Sequence, residues 1–348
     1  MIASLLFLSS GLFLGWSLGA NNAANFWGTA VGTRMVRFKT AAILCSIFVI
    51  LGAVLGGSGA SSTLSKLGTI DQLAGSFTVA LASAITAYYM TKAGIPISTS
   101  QAIVGAIIGW NIYSGNTTNY AILTKIASTW VTSPLLTAIT AFVFYKLVQI
   151  IINRTKIHMI TLDRYTRYGL ILVGIFGSYS LGANNIGNVM GVFIDSNPFA
   201  NLNILSVLNL DPTQILFLLG GIAIAVGVFT YSKKVMLTIG SDIFKLSPIS
   251  ALVVVLSVSI TMFLFASTGL RDVLLANGLP AIPLVPVSSS QAIVGAVIGV
   301  SFARKSTDIH FGILAKIVGG WILTPILSFI LAYVSLFFME NVFLQKVF

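Results

Sequence analysis

Long apolar runs separated by short polar loops dominate the chain. The first covers residues 2 to about 24, and others follow at about 40–59, 73–90, 97–113 and 122–152. After a charged stretch at 153–167 the order returns, with runs at about 168–189, 213–231, 248–270, 283–303 and 311–338. A helix of about 20 apolar residues crosses the hydrocarbon layer of a bilayer. Membrane strands are only about 10 residues long and alternate in polarity. The pattern therefore predicts an all-α integral membrane protein, a polytopic helical bundle. The run at 97–113 is short for a full crossing, so broken or re-entrant helices are expected.

The runs also repeat in content. Pro96-Ile97-Ser98-Thr99-Ser100-Gln101-Ala102-Ile103-Val104-Gly105-Ala106-Ile107-Ile108-Gly109 returns at Pro286–Gly299, changed only by Val287, Ser289 and Val297. Leu18-Gly19-Ala20-Asn21-Asn22, followed by Asn25, returns as Leu181-Gly182-Ala183-Asn184-Asn185, followed by Asn188. Late in each copy, Lys125, Trp130 and Pro134 match Lys316, Trp321 and Pro325. The expected organisation is a first transmembrane repeat at 1–152, a charged cytoplasmic linker at 153–167 and a second repeat at 168–348. Polar residues 195–212 are an insertion in the second copy.

With five passes per copy, successive loops alternate sides. One side collects Arg34, Arg37, Lys39, Lys92, Lys146, the linker with Arg154, Lys156, Arg164 and Arg167, then Lys233, Lys234, Lys245, Arg304 and Lys305. The other holds mainly Lys66, Lys125, Arg271 and Lys346. Cytoplasmic loops are the basic ones, which places the linker inside and the N-terminus outside. An odd number of passes inverts the second copy relative to the first, the arrangement of transporters with a site at the membrane midplane.

Composition agrees with this reading. Hydrophobic residues make up 56 % of the chain, charged residues 8 %, and the mean hydropathy is +0.98, where soluble domains carry roughly 25 % charge. The net charge of +11 is explained by the basic loops, so no nucleic-acid partner is expected. Cys45 stands alone in an apolar run, which leaves no disulfide framework or thiolate metal site. The first run lacks a basic leader and already contains an Asn motif, so it reads as a retained helix. Trp16, Trp27, Trp110, Trp130 and Trp321 read as packing or interfacial anchors, and Lys125 and Lys316 as snorkelling side chains.

The four motifs carry the candidate chemistry. Proline is tolerated at a helix start, and the free N–H groups of a first turn, with the helix dipole, make an anion site without Lys or Arg. Ser98, Thr99, Ser100 and Gln101, facing Ser288, Ser289, Ser290 and Gln291, would bracket a tetrahedral oxyanion. Gly105, Gly109, Gly295 and Gly299 at four-residue spacing would let neighbouring helices approach. Asn22, Asn25, Asn185 and Asn188 lie in apolar surroundings, where an amide needs a partner. Their carbonyl oxygens, with the Ser100 and Ser290 hydroxyls, suit a hard cation such as Na⁺ by the oxygen-ligand logic of Ca²⁺ and Mg²⁺. Asn25 and Asn188 are candidates for the anion as well.

The two Gly-Ala-Asn-Asn motifs and the paired Pro-(Ile/Val)-Ser-(Thr/Ser)-Ser motifs resemble the PiT family of inorganic phosphate transporters. The resemblance spans both halves. It implies phosphate symport with Na⁺ or H⁺ across the cytoplasmic membrane, an inverted-repeat helical fold, a homodimer in membrane lipid, and substrate and ion residues among Asn22, Asn25, Ser98–Ser100, Asn185, Asn188 and Ser288–Ser290. The chain departs from the family in carrying Asn22 and Asn185 where Asp is usual, and Gln101 and Gln291 where many members have His. Val49 and Val255 occupy the region of a glutamate found in eukaryotic relatives.

These departures bear on coupling. The acidic residues are Asp71, Asp163, Asp195, Asp211, Asp242, Asp272, Asp308 and Glu340, all in loops or near run ends. Neither His158 nor His310 is mid-membrane, so the core offers no titratable group to carry a proton. A neutral site cannot balance a divalent anion in low dielectric, which predicts co-bound Na⁺ and phosphate import by alternating access. The alternatives are H⁺-coupled phosphate symport and a sulfate permease of the same fold. A channel fits broken-helix motifs less well. An enzyme would need a base beside its serine, and none is present.

Overall fold

The computed structural model describes residues 2–93, 97–155, 157–204, 208–238, 246–305 and 311–348. Pro96, Lys156, Asp242, Lys245, Asp308 and His310 lie outside them. The first half comprises α1 (Ile2–Asn22), α2 (Ala24–Gly32), α3 (Phe38–Gly56), α4 (Ser58–Ser65), α5 (Leu73–Lys92), α6 (Thr99–Ser114) and α7 (Tyr120–Thr155). The second comprises α8 (Met159–Met190), α9 (Pro212–Thr230), α10 (Ser232–Thr238), α11 (Pro248–Leu264), α12 (Thr268–Ala276), α13 (Ser289–Arg304) and α14 (Phe311–Asn341). A 3₁₀ turn, Gly191–Phe193, closes α8, and the insertion holds an antiparallel hairpin of β1 (Leu202–Ile204) and β2 (Leu208–Leu210).

Apart from that hairpin the fold is a helical membrane bundle with broken helices, as the hydropathy pattern predicts. Among the described residues α3, α5, α7, α8, α9 and α14 are each long and apolar enough to cross a membrane. α11 and α12, bent by 67°, make a seventh span if counted together. The first apolar run is interrupted at Ala23 and the second at Gly57. α6 and α13 have 16 residues each, or about 24 Å at 1.5 Å per residue. That is short of the roughly 30 Å hydrocarbon core, so five full-length crossings per half do not occur.

Two further boundaries differ from expectation. The charged stretch 153–167 is mostly helix, because α7 continues to Thr155 and α8 already starts at Met159. There the His158 ring accepts a hydrogen bond from Ile160 N at 3.4 Å and caps the new helix. The run at 283–303 becomes helical only at Ser289, since Ser288 is extended and serves as N-cap.

Backbone contacts at glycines reveal the two-fold relation between the halves. A Cβ on Gly19 of α1 would overlap the Ile224 carbonyl of α9, and one on Gly182 of α8 would overlap the Val49 carbonyl of α3. Gly52 meets Tyr179, and Gly227 meets Trp16, in the same way. Trp16, Gly19, Tyr179 and Gly182 are pairs 163 positions apart (16→179, 19→182), while Val49, Gly52, Ile224 and Gly227 are pairs 175 apart (49→224, 52→227). Thus α1 and α3 of one half grip α9 and α8 of the other by equivalent contacts.

The remaining pairs also cross between halves. Gly105 and Gly109 of α6 pack on the carbonyls of Pro325 and Phe329 in α14, and Gly295 and Gly299 of α13 on those of Pro134 and Ala138 in α7. Both members of each pair advance by four residues, so the two helices run parallel and nearly touch. Loops assigned to one side by alternation do meet. Lys66, Asn116, Thr117 and Asn119 line one cavity, Ser76 and Ser196 hydroxyls lie 2.9 Å apart, and on the other side the Lys233 ammonium stands 5.9 Å from the Phe38 ring centre.

Candidate functional site

The Ser motifs come together where α6 and α13 begin. Ser98 and Ser288 adopt extended backbone, and their hydroxyls accept hydrogen bonds from Gln101 N at 3.2 Å and Gln291 N at 3.3 Å. These two hydroxyls are therefore turned onto their own helices and not past the helix ends toward a ligand. Capping of this kind is worth about 1 kcal/mol and fixes where each helix starts.

The next hydroxyls tie the two ends to each other and to the Asn motifs. Ser100 Oγ donates to the Val287 carbonyl at 3.2 Å and accepts from Asn188 Nδ2 at 2.8 Å. Asn25 Nδ2 donates to Ser289 Oγ at 3.2 Å, and the Ser288 and Ser290 hydroxyls lie 2.9 Å apart. Asn188 Nδ2 also reaches Asn185 Oδ1 at 2.9 Å. Ser98, Thr99, Ser100, Gln101, Ser288, Ser289, Ser290, Gln291, Asn22, Asn25, Asn185 and Asn188 are all buried. Asn22 is the outlier. It ends α1, on the other side of the Ala23 break from Asn25, and no described hydrogen bond joins it to the cluster.

Several buried polar atoms here have no partner. They are Gln101 Oε1, Gln291 Oε1, Asn188 Oδ1 and Asn185 Nδ2, with Trp130 Nε1, Trp321 Nε1 and Ser133 Oγ. Leaving a buried donor or acceptor unpaired costs about 1–3 kcal/mol each, so a ligand that satisfied them would gain that amount back. Donors and acceptors are both present, and no carboxylate of the described residues touches the cluster. Such a set fits an oxyanion with protonated oxygens, or an oxyanion together with cations.

Trp130 and Trp321, read from the sequence as anchors, carry indole N–H groups without a partner. Gln291 lies one turn before Gly295 and Trp130 one turn before Pro134, so the two residues sit at the same level of the parallel α13–α7 pair. Gln101 and Trp321 are related in the same way on α6 and α14. Pro134 and Pro325 lie inside their helices. Proline has no N–H, so the Trp130 and Trp321 carbonyls lack their usual helical donors. The repeated Trp-x-x-(Ser/Thr)-Pro was the available signal.

Asn184 was also passed over. Its Oδ1 accepts from Val287 N at 2.8 Å, and its Nδ2 donates to the carbonyls of Val285 at 3.3 Å and Met262 at 3.4 Å. It straps the extended segment before Ser288 to α8 and so positions the second Ser motif.

Comparison with known proteins agrees with this architecture. A family model described as the phosphate transporter family matches residues 18–271 and 275–347. A protein of Methanocaldococcus jannaschii named as a phosphate permease, MJ0630, is 28 % identical over 92 % of this chain and 93 % of its own. The sulfate permease CysP of Bacillus subtilis is 29 % identical over 97 % of this chain and 88 % of its own. A solved structure titled the sodium-dependent phosphate transporter superposes with a TM-score of 0.75 at 24 % identity, covering 96 % of this chain and 99 % of that one. All are permeases or transporters, not enzymes. Two helix starts facing each other inside an intertwined bundle, and a family match over nearly the whole length, lead to one assignment: the chain belongs to the phosphate transporter family.

Proposed function

We propose that this protein imports inorganic phosphate across the cytoplasmic membrane by Na⁺ symport with alternating access. The carrying observation is the set of unpaired buried atoms around two facing helix N-termini, with no carboxylate among the residues described there. The N-terminal turns of α6 and α13, the Ser289 and Ser290 hydroxyls and the Trp130 and Trp321 indoles supply donors for the anion, while Ser100, whose proton goes to the Val287 carbonyl, ties the two helix starts together. Gln101 Oε1, Gln291 Oε1 and the Asn25 and Asn188 amides supply acceptors. Those acceptors can take a phosphate O–H or ligate Na⁺, and Asn22, Asn185, Ser100 and Ser290 complete the proposed cation set. A divalent anion in a neutral, buried site needs co-bound positive charge.

In this reading residues 1–152 and 168–348 are the two inverted repeats, the linker is cytoplasmic, the N-terminus is outside, and the protein works as a homodimer in lipid. Basic residues on the Arg34–Lys39 side support the orientation.

The test is phosphate uptake into proteoliposomes with and without an inward Na⁺ gradient at equal pH. Strong stimulation by Na⁺ is expected. Uptake that ignores Na⁺ and follows external acid would remove the cation assignment. Sulfate is the second reading, favoured by the 29 % identity to CysP. Acceptors beside the site suit phosphate, whose O–H groups donate, over fully deprotonated sulfate, so excess sulfate should compete weakly with labelled phosphate.

A further inference from the structure

A cavity of about 320 Å³ opens between α4 and the start of α9, on the side of the molecule that holds Asp71 and the hairpin insertion. Its polar wall includes Ser58, Ser61, Ser62 and Ser65 from α4 and, at the N-terminus of α9, Asp211, Thr213 and Gln214. No Lys or Arg contributes to it. Ile194, the neighbour of Asp195, completes the rim. Asp195 in turn feels the charge of Asp71, which, after burial, helps hold its carboxyl above the usual range.

The floor of the cavity is thin. Ser61 packs against Gly187 of α8 so closely that a Cβ on that glycine would lie 2.9 Å from Ser61 Oγ. The next residue is Asn188, fully buried, with its Oδ1 unpaired. Through Gly187 the cavity wall thus adjoins the turn of α8 that carries Asn188 into the central site.

The symmetry-related place at the other end is built differently. The 175-position relation between α3–α4 and α9–α10 carries Ser58 to Lys233, Ser61 to Met236 and Ser62 to Leu237 (58→233, 61→236, 62→237). Met236 is fully buried there. A fold that needs the same backbone at both ends thus carries hydroxyls and a carboxylate at one, and a cation and apolar bulk at the other.

We propose that the α4–α9 cavity is a cation-selective vestibule through which a monovalent cation, Na⁺ in the reading above, reaches Asn188. This rests on the proposed coupling only for the identity of the ion. Hydroxyl oxygens replace part of the hydration shell, and Asp211, with Asp195 and Asp71 beyond it, raises the local cation concentration. Phosphate, repelled by the same carboxylates, takes another route.

The test uses the full-length protein in proteoliposomes with Ser58→Cys or Ser62→Cys; native Cys45 is fully buried and serves as the unreactive control. Each variant is treated with a cationic (trimethylammonium-ethyl) and an anionic (sulfonatoethyl) methanethiosulfonate reagent, with rates normalised to a free thiol. The cationic reagent should react about tenfold faster, and Na⁺ should slow it relative to equal choline. Asp211→Asn keeps a good N-cap residue, so the helix start survives. It should cut the preference to about threefold and raise the Na⁺ KM severalfold, with the phosphate KM at saturating Na⁺ unchanged.

Equal or faster reaction of the anionic reagent, or protection by phosphate in the absence of Na⁺, overturns the vestibule. Na⁺-driven uptake with no charge preference in labelling sinks the vestibule alone. A cationic preference in a protein whose uptake ignores Na⁺ sinks the Na⁺ reading and leaves the vestibule as the path of another monovalent cation.

Discussion

Asn188 on α8 donates to Ser100 at the start of α6 across 2.8 Å, joining an Asn motif of one half to the Ser motif of the other. Ser100 passes the connection on to the Val287 carbonyl. One hydroxyl thus holds both helix starts and the Asn motif in register.

Ser100→Ala should therefore lower phosphate uptake at least tenfold, with a stability loss of no more than about 2 kcal/mol. It removes two hydrogen bonds, each worth about 1 kcal/mol net, and Asn188 keeps its bond to Asn185. Uptake assays beside thermal unfolding in detergent check this. A collapse in Tm with proportionate loss of activity would reduce Ser100 to a structural strut.

Trp130→Phe and Trp321→Phe keep a large ring and delete an N–H that has no partner in the structure. An unliganded protein should lose no stability from either change, since an unpaired buried donor is itself unfavourable. The phosphate KM should rise, by roughly tenfold for a lost hydrogen bond to a charged group. An unchanged KM in both variants would return the tryptophans to the anchoring role first read from the sequence.

Gly105→Ala and Gly295→Ala place a methyl group inside the carbonyls of Pro325 and Pro134. Overpacking of this kind costs about 1–3 kcal/mol, and the two-fold relation predicts similar losses of Tm at both sites. Gly312→Ala, where a Cβ meets nothing within 4 Å, is the control and should leave Tm in place.

Asp195 gives a pH dependence. Burial, then the Asp71 charge, raises its carboxyl pKa, so folding disfavours the charged form. The folded state gains stability as pH falls through that raised value, and the penalty is present above it. Asp195→Asn should melt slightly higher at neutral pH, on the order of a degree because the residue is well exposed to screening solvent. The difference from wild type should shrink on acidification.

The repeated letters made the helical class, the duplication and the four motifs readable directly, because Ser98 and Ser288, or Asn25 and Asn188, sit in matching strings. The direction of Ser98 and Ser288 was not readable, since whether a hydroxyl caps its own helix or faces a ligand depends on the extended turn before it. The shared level of Trp130 and Gln291 was hidden for a different reason. The two residues lie in different halves and come to one level only because glycines let α7 and α13 run in parallel contact. The break at Ala23, which separates Asn22 from Asn25, has no local sequence signal such as proline.

The crossed pairing of α6 with α14 and of α13 with α7 also governs how the protein is made. α6 is synthesised about 200 residues before the helix whose Pro325 carbonyl receives Gly105, and it is too short to span the bilayer alone. During biogenesis its polar start must wait against other parts of the first half or the insertion machinery. The two halves expressed as separate chains should accordingly be unstable singly and rescue one another only when made together, like interlocked fingers that need both hands.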